Sequence, residues 1–173
     1  MFEGKTFLIT GIADEQSLAM YVAKAILENG GKVVCTGLGV SKHHENLSDK
    51  AKSFLNTTYS DFEKSVHQAL GSETKTEILD VTLAESIQDF CAKMKEDNIE
   101  FDGWLHAIAM DKTIRGKKVK PLLEVSLQEF CETMDVSAYS LIKVTKALYD
   151  FDLLRPKSSI CSISYIAASK VTF

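Results

Sequence analysis

Along this chain, short apolar runs alternate with longer stretches whose apolar side chains recur every three or four residues. Runs of the first kind suit strands covered on both faces, and stretches of the second suit helices with one buried side. Residues 5–10 (KTFLIT), 32–37 (KVVCTG), 76–81 (TEILDV), 101–109 (FDGWLHAIA) and 158–164 (SSICSIS) read as five strands. Residues 16–29 place Ala19, Val22, Ala23, Ile26 and Leu27 at helical spacing and end at Asn-Gly-Gly, a helix stop signal. Residues 83–95 predict a helix. Residues 126–149 predict a long one, with Ser126 as N-cap and Leu127, Phe130, Met134, Leu141, Ile142 and Leu148 as its apolar stripe. The polar stretch 38–74 predicts one or two short helices, around 47–55 and 62–70, and residues 110–126 predict a loop.

Strands alternating with helices predict an α/β fold, a Rossmann-like doubly wound parallel sheet. Right-handed crossovers set the strand order at 3-2-1-4-5. The reversal opens a crevice at the carboxyl ends of the first and fourth strands, where open sheets of this kind bind ligands. The expectation is one domain, residues 1–173, with its sheet truncated after the fifth strand.

Composition narrows the function classes. A net charge of −4 lacks the basic balance of a nucleic-acid binder. No run approaches the roughly 20 apolar residues of a membrane span, and the first ten residues lack a secretory signal, so a cytoplasmic protein without membrane partners is expected. Cys35, Cys91, Cys131 and Cys161 are far apart and read as buried free thiols. No metal site is expected, and the adjacent His43 and His44 read as exposed loop residues. Trp104 and His106, inside an apolar strand, read as core, the histidine hydrogen-bonded.

Candidate chemistry begins at residues 10–19 (TGIADEQSLA), where the first strand meets a helix. A helix start offers free N–H groups and about half a positive charge, so an anion is welcome there. Gly11 is the loop's only glycine; it can make the turn, while Ala19 is small enough to let the helix lie close to the strand. Ser17 either offers its hydroxyl to a phosphate or serves only as N-cap. Asp80, at the end of the third strand, either accepts from an adenine amino group or caps its own loop. Ala107 and Ala109 would let backbone approach a nicotinamide ribose.

Gly11, Ser17 and Ala19, the Asp80-Val81 pair, FDGWLHAIA, MDVSAYS (134–140) and SISY (162–165) together resemble the enoyl-acyl-carrier-protein reductases, a divergent branch of the short-chain dehydrogenase/reductase family. The resemblance runs along the whole chain except residues 38–74. It implies NADH- or NADPH-dependent reduction of an enoyl thioester carried on acyl carrier protein, in fatty acid synthesis. It implies pyrophosphate contacts from Gly11, Ser17 and Leu18, adenine contacts from Asp80 and Val81, and a nicotinamide contact from Ile108. Leu38 falls in the cofactor site where the branch often has a polar residue, and Asp111 falls at a substrate-side position where it commonly has alanine. Ser137 stands where the broader family carries a catalytic asparagine. The helix from Ser126 would help form a homo-oligomer interface.

The second strand ends without the acid that selects NAD, and Lys42 lies a little beyond, so the spacing chooses neither cofactor. Tyr165 and Lys170 are five apart, about 140° around a helix, and so cannot act as a same-face tyrosine–lysine pair. By resemblance Tyr165 is an auxiliary catalytic tyrosine beside the enolate, and the main tyrosine and lysine, spaced Tyr-x6-Lys, would lie past Phe173. A longer protein is therefore expected. Residues 115–120 (RGKKVK) read either as a docking surface for an acidic carrier or as a solvated loop. Two rivals stand beside the reductase: a carbonyl reductase, which would show Tyr-x3-Lys further on, and a non-catalytic nucleotide-binding or scaffold protein.

Overall fold

The computed structural model describes residues 1–44, 46–111, 113–115 and 118–164. Its main elements are β1 (Thr6–Thr10), α1 (Leu18–Glu28), β2 (Lys32–Gly37), α2 (Asp49–Leu70), β3 (Lys75–Ile78), α3 (Ala84–Glu96) and β4 (Phe101–His106). A two-stranded hairpin follows, β5 (Ile114–Arg115) and β6 (Lys118–Val119), then α4 (Leu127–Met134), α5 (Ser140–Asp150) and β7 (Leu154–Ser162). The main sheet is parallel in the order β3-β2-β1-β4-β7, the expected 3-2-1-4-5.

Alternation along each strand sends neighbouring side chains to opposite faces, each closed by its own helices. Leu8 and Val34 join Ile87, Phe90 and Met94 of α3 and Val144 and Leu148 of α5. Ile9, Val33 and Cys35 join Ala19, Met20, Ala23 and Ile26 of α1 and Phe62 and Val66 of α2. The Asn-Gly-Gly stop works as expected: Gly30, at φ +82°, lets its own N–H donate to the Leu27 carbonyl and that of Gly31 to the Ile26 carbonyl.

Several expectations are corrected. Residues 49–70 form one continuous helix, in whose polar middle Thr57 and Thr58 turn their hydroxyls back to the Ser53 and Phe54 carbonyls (3.0 and 2.8 Å). The long helix from Ser126 is divided by a π-helical turn, Asp135–Tyr139, between α4 and α5. The third and fourth strands end early, at Ile78 and His106, and β7 starts at Leu154, across Pro156 and a register shift with Lys157 at φ +69°. Proline in a strand signals an edge or a bulge, which hid this start. Cys35 and Cys91 are buried, and desolvation pushes each thiol up to about 12, but Cys131 and Cys161 are exposed.

Candidate functional site

The carboxyl ends of β1 and β4 meet where Thr10 pairs with His106 and the Ala107 N–H donates to the Thr10 carbonyl (3.2 Å). Gly11 follows at φ +83°, and a methyl group there would run into the Ala107 carbonyl. Two chain segments therefore pass in direct contact, and only glycine serves both the turn and the approach.

Past Gly11, Asp14 organises the loop. Its Oδ1 accepts from the Gln16 N–H (2.9 Å), and its carbonyl accepts from both the N–H and the hydroxyl of Ser17 (3.2 and 2.8 Å). The Ser17 oxygen accepts in turn from the Met20 N–H at 3.4 Å, so Ser17 is the N-cap of α1. The amides of Leu18 and Ala19 precede any helical carbonyl that could receive them. Ala19 is buried against the first strand's layer, while the Leu18 side chain is 65% exposed. Backbone and small side chains here fit an anion. Two exposed carboxylates, Asp14 and Glu15, stand at the same mouth and oppose one, a feature the sequence reading passed over.

At the other end of the crevice, the Leu79 N–H donates to the Gly37 carbonyl (3.0 Å) and brings the ends of β2 and β3 together. Leu38 is exposed beside them. Asp80 lies two residues beyond β3, with its Oδ1 accepting from the N–H and hydroxyl of Thr82 (2.8 and 2.6 Å). Its Oδ2 meets His44 Nε2 at 3.1 Å. The side chain of Val81 belongs to the core, which leaves only its backbone for a ligand. The histidine pair corrects the expectation of exposed loop residues: His44 is nearly buried, and His43 Nε2 lies 2.7 Å from Asp89 Oδ2. Asp89 also binds Lys42 (2.9 Å), and these two partners hold its carboxyl below the usual range.

Beyond β4, Ile108 packs partly against the core. Ser137, on the π-helical turn, accepts from the Met110 N–H and donates to the Met110 carbonyl, both at 3.0 Å. Ser140 donates to the Val136 carbonyl (2.6 Å) and accepts from His106 Nε2 (2.8 Å), so His106 is the hydrogen-bonded core residue expected. Burial lowers the His106 pKa from its ordinary value. The two serines tie the wall of the crevice to the π-helical turn and the start of α5, contacts that the sequence does not signal. Asp111 is exposed, and its Oδ1 accepts from the N–H and hydroxyl of Thr113 (2.8 and 2.6 Å), which hold its carboxyl low. Lys120, from the basic run, is taken by Glu129 Oε2 (2.7 Å). Tyr165, Lys170 and Lys117 lie outside the described residues.

The structure thus brings Gly11, Ser17, Leu18 and Ile108 to the crevice mouth at β1 and β4, and Leu38, Asp80 and Val81 to its β2–β3 end. Asp111 is turned into its own loop. A cavity of about 690 Å³ lies at the opposite, amino ends of the strands, lined by Gly4, Leu27, Lys32, Lys75 and Arg155 among others, and contains none of these residues. Among the described residues, no helix is long and apolar enough to cross a membrane.

Known proteins share this fold. The chain is 28% identical over 169 residues to the enoyl-[acyl-carrier-protein] reductase [NADH] FabI of Haemophilus influenzae, covering 96% of this chain and 56% of that protein. Its fold matches the crystal structure of enoyl-[acyl-carrier-protein] reductase (NADH) from Aquifex aeolicus with a TM-score of 0.74 at 28% identity, over 99% of this chain and 59% of that one. It also matches the enoyl-(acyl-carrier-protein) reductase of Anaplasma phagocytophilum in complex with NAD, with a TM-score of 0.72 at 28% identity, over 98% of this chain and 57% of that one. The chain therefore spans little more than half the length of these relatives. A family model described as Enoyl-(Acyl carrier protein) reductase matches residues 11–173, and the chain belongs to that family.

Proposed function

We propose that this chain carries the nucleotide-binding part of an NADH-dependent enoyl-acyl-carrier-protein reductase acting in cytoplasmic fatty acid synthesis. The observation that carries the reading is the contact of Gly11 with Ala107 beside the open amides of α1, which makes one crevice of the β1 and β4 ends. In it, Leu18 and Ala19 donate backbone N–H groups to a diphosphate, and Ser17 turns its hydroxyl from the Asp14 carbonyl toward a phosphate oxygen. Asp80 accepts from the adenine amino group and the Val81 backbone lines the same slot. Leu38 packs against the ribose, and NADH rather than NADPH suits a site whose nearby Lys42 is engaged by Asp89.

When bound, the reduced nicotinamide supplies a hydride to the β-carbon of the enoyl thioester. Ser137 and Ile108 hold the wall of that site, Asp111 borders the acyl entrance, and the role assigned to Tyr165 is to supply a hydroxyl to the enolate oxygen. The exposed apolar face of α4 and α5, with Leu127, Phe130, Met134 and Ile142, forms a homo-oligomer interface.

Calorimetric titration tests the reading. The chain should bind ADP-ribose, and Ser17→Ala should weaken binding by about 1 kcal/mol, several-fold in affinity. ADP-ribose binding indifferent to Ser17 returns this serine to capping alone, and absent binding removes the nucleotide assignment.

A further inference from the structure

We infer that His44 is a specificity-determining plug in the adenine end of the crevice, its ring N–H holding the place on Asp80 that an adenine amino group takes. The inference rests on the adenine role proposed for Asp80. Hydrogen bonding fixes which ring nitrogen carries the proton. The Ser41 backbone N–H points at His44 Nδ1 (3.0 Å), so Nδ1 accepts and the proton sits on Nε2. Nε2–H therefore donates to Asp80 Oδ2, as the N–H of a 6-aminopurine would.

The rest of Asp80 is spoken for. Its Oδ1 already receives two hydrogen bonds from Thr82, so Oδ2 is the oxygen open to a base. The two side chains are only 10% and 12% exposed, which leaves no room for a purine to reach Oδ2 beside the imidazole. A nucleotide must displace the ring. What returns the ring is a surface tether, the pairing of Lys42 and His43 with the half-exposed Asp89, and pairs of this kind are weak.

Displacement sets a selection rule. An adenine restores the N–H donor that Asp80 loses, whereas hypoxanthine offers a carbonyl oxygen at the same position and cannot replace it. The closed fraction also lowers the apparent affinity for every adenine ligand.

Titration of the chain and of His44→Ala with ADP-ribose and its hypoxanthine counterpart decides the matter, with thermal unfolding as the folding control. The unaltered chain should prefer ADP-ribose. His44→Ala should bind ADP-ribose about three- to tenfold more tightly, with little gain for the hypoxanthine ligand. Unchanged or weaker ADP-ribose binding in His44→Ala, with the adenine preference intact in the unaltered chain, overturns the plug and leaves the nucleotide site standing. An equal gain for both bases shows general loosening and also overturns it. Equal affinity of the unaltered chain for both bases removes the adenine role of Asp80, and the plug with it. Should His44→Ala fail to fold, Asp89→Asn cuts the tether from outside: tighter ADP-ribose binding supports the plug, and unchanged binding overturns it.

Discussion

Helices α1 and α4 have similar apolar stripes and opposite fates. In α1, Ala19, Met20, Ala23 and Ile26 are buried between the sheet and α2. In α4 no residue is buried, and Leu127, Phe130 and Met134 are exposed. Both helices start on a serine N-cap, and α4 adds a full capping box with Glu129, whose carboxyl is held down at about 2 by Lys120 and Ser126. Local signals thus build either helix, and periodicity does not say what a stripe meets. The α1 stripe is covered by the chain's own sheet and α2, while the α4 stripe is left exposed.

Core truncation should separate the two helices most sharply. Met20→Ala removes a fully buried side chain and should lower unfolding free energy by about 2–5 kcal/mol. Phe130→Ala, measured by urea unfolding at high dilution, should change it by less than about 0.5 kcal/mol and shift sedimentation toward smaller species at high concentration. A Phe130 variant as damaging as the Met20 variant at high dilution would place α4 inside the core and cancel the contrast.

The seam at Gly11 comes next. Gly11→Ala adds a methyl against the Ala107 carbonyl at φ +83°, so it should destabilise the chain by about 1–3 kcal/mol and lose ADP-ribose binding. Full stability with intact binding would mean that the strand ends are not locked together as the proposed crevice requires.

What the sequence made legible follows from the range of the interactions. Strand runs and the Asn-Gly-Gly stop are local, so the sheet order and the end of α1 could be read directly. The π-helical turn could not, because Val136 and Ser140 keep an ordinary helical spacing while Ser137 bonds to Met110, 27 residues away. The same holds for Asp80: Thr82 is its neighbour and the loop-capping alternative was visible, but His44 reaches it from 36 residues back. The Gly11 contact with Ala107 likewise joins two loops whose nearness only the sheet order implies.

His106 sharpens the comparison with the smallest effect, since it ties the α5 side of the fold to the crevice. Burial lowers its pKa in the folded chain, so between that value and the ordinary one near 6.5 the unfolded chain binds more protons. The stability held by the neutral ring is complete above about pH 6.5 and is lost as pH falls through the folded value, with a slope no steeper than about 1.4 kcal/mol per pH unit. Denaturant unfolding from pH 7.5 to 5, compared with His106→Asn, should show a decline below 6.5 that the variant reduces. An identical decline in both would assign the slope to other groups and leave Ser140 binding a ring whose charge does not matter. A decline that is lost in His106→Asn would assign it to the His106 ring and to the cost of charging that ring where it is buried against Ser140 of α5.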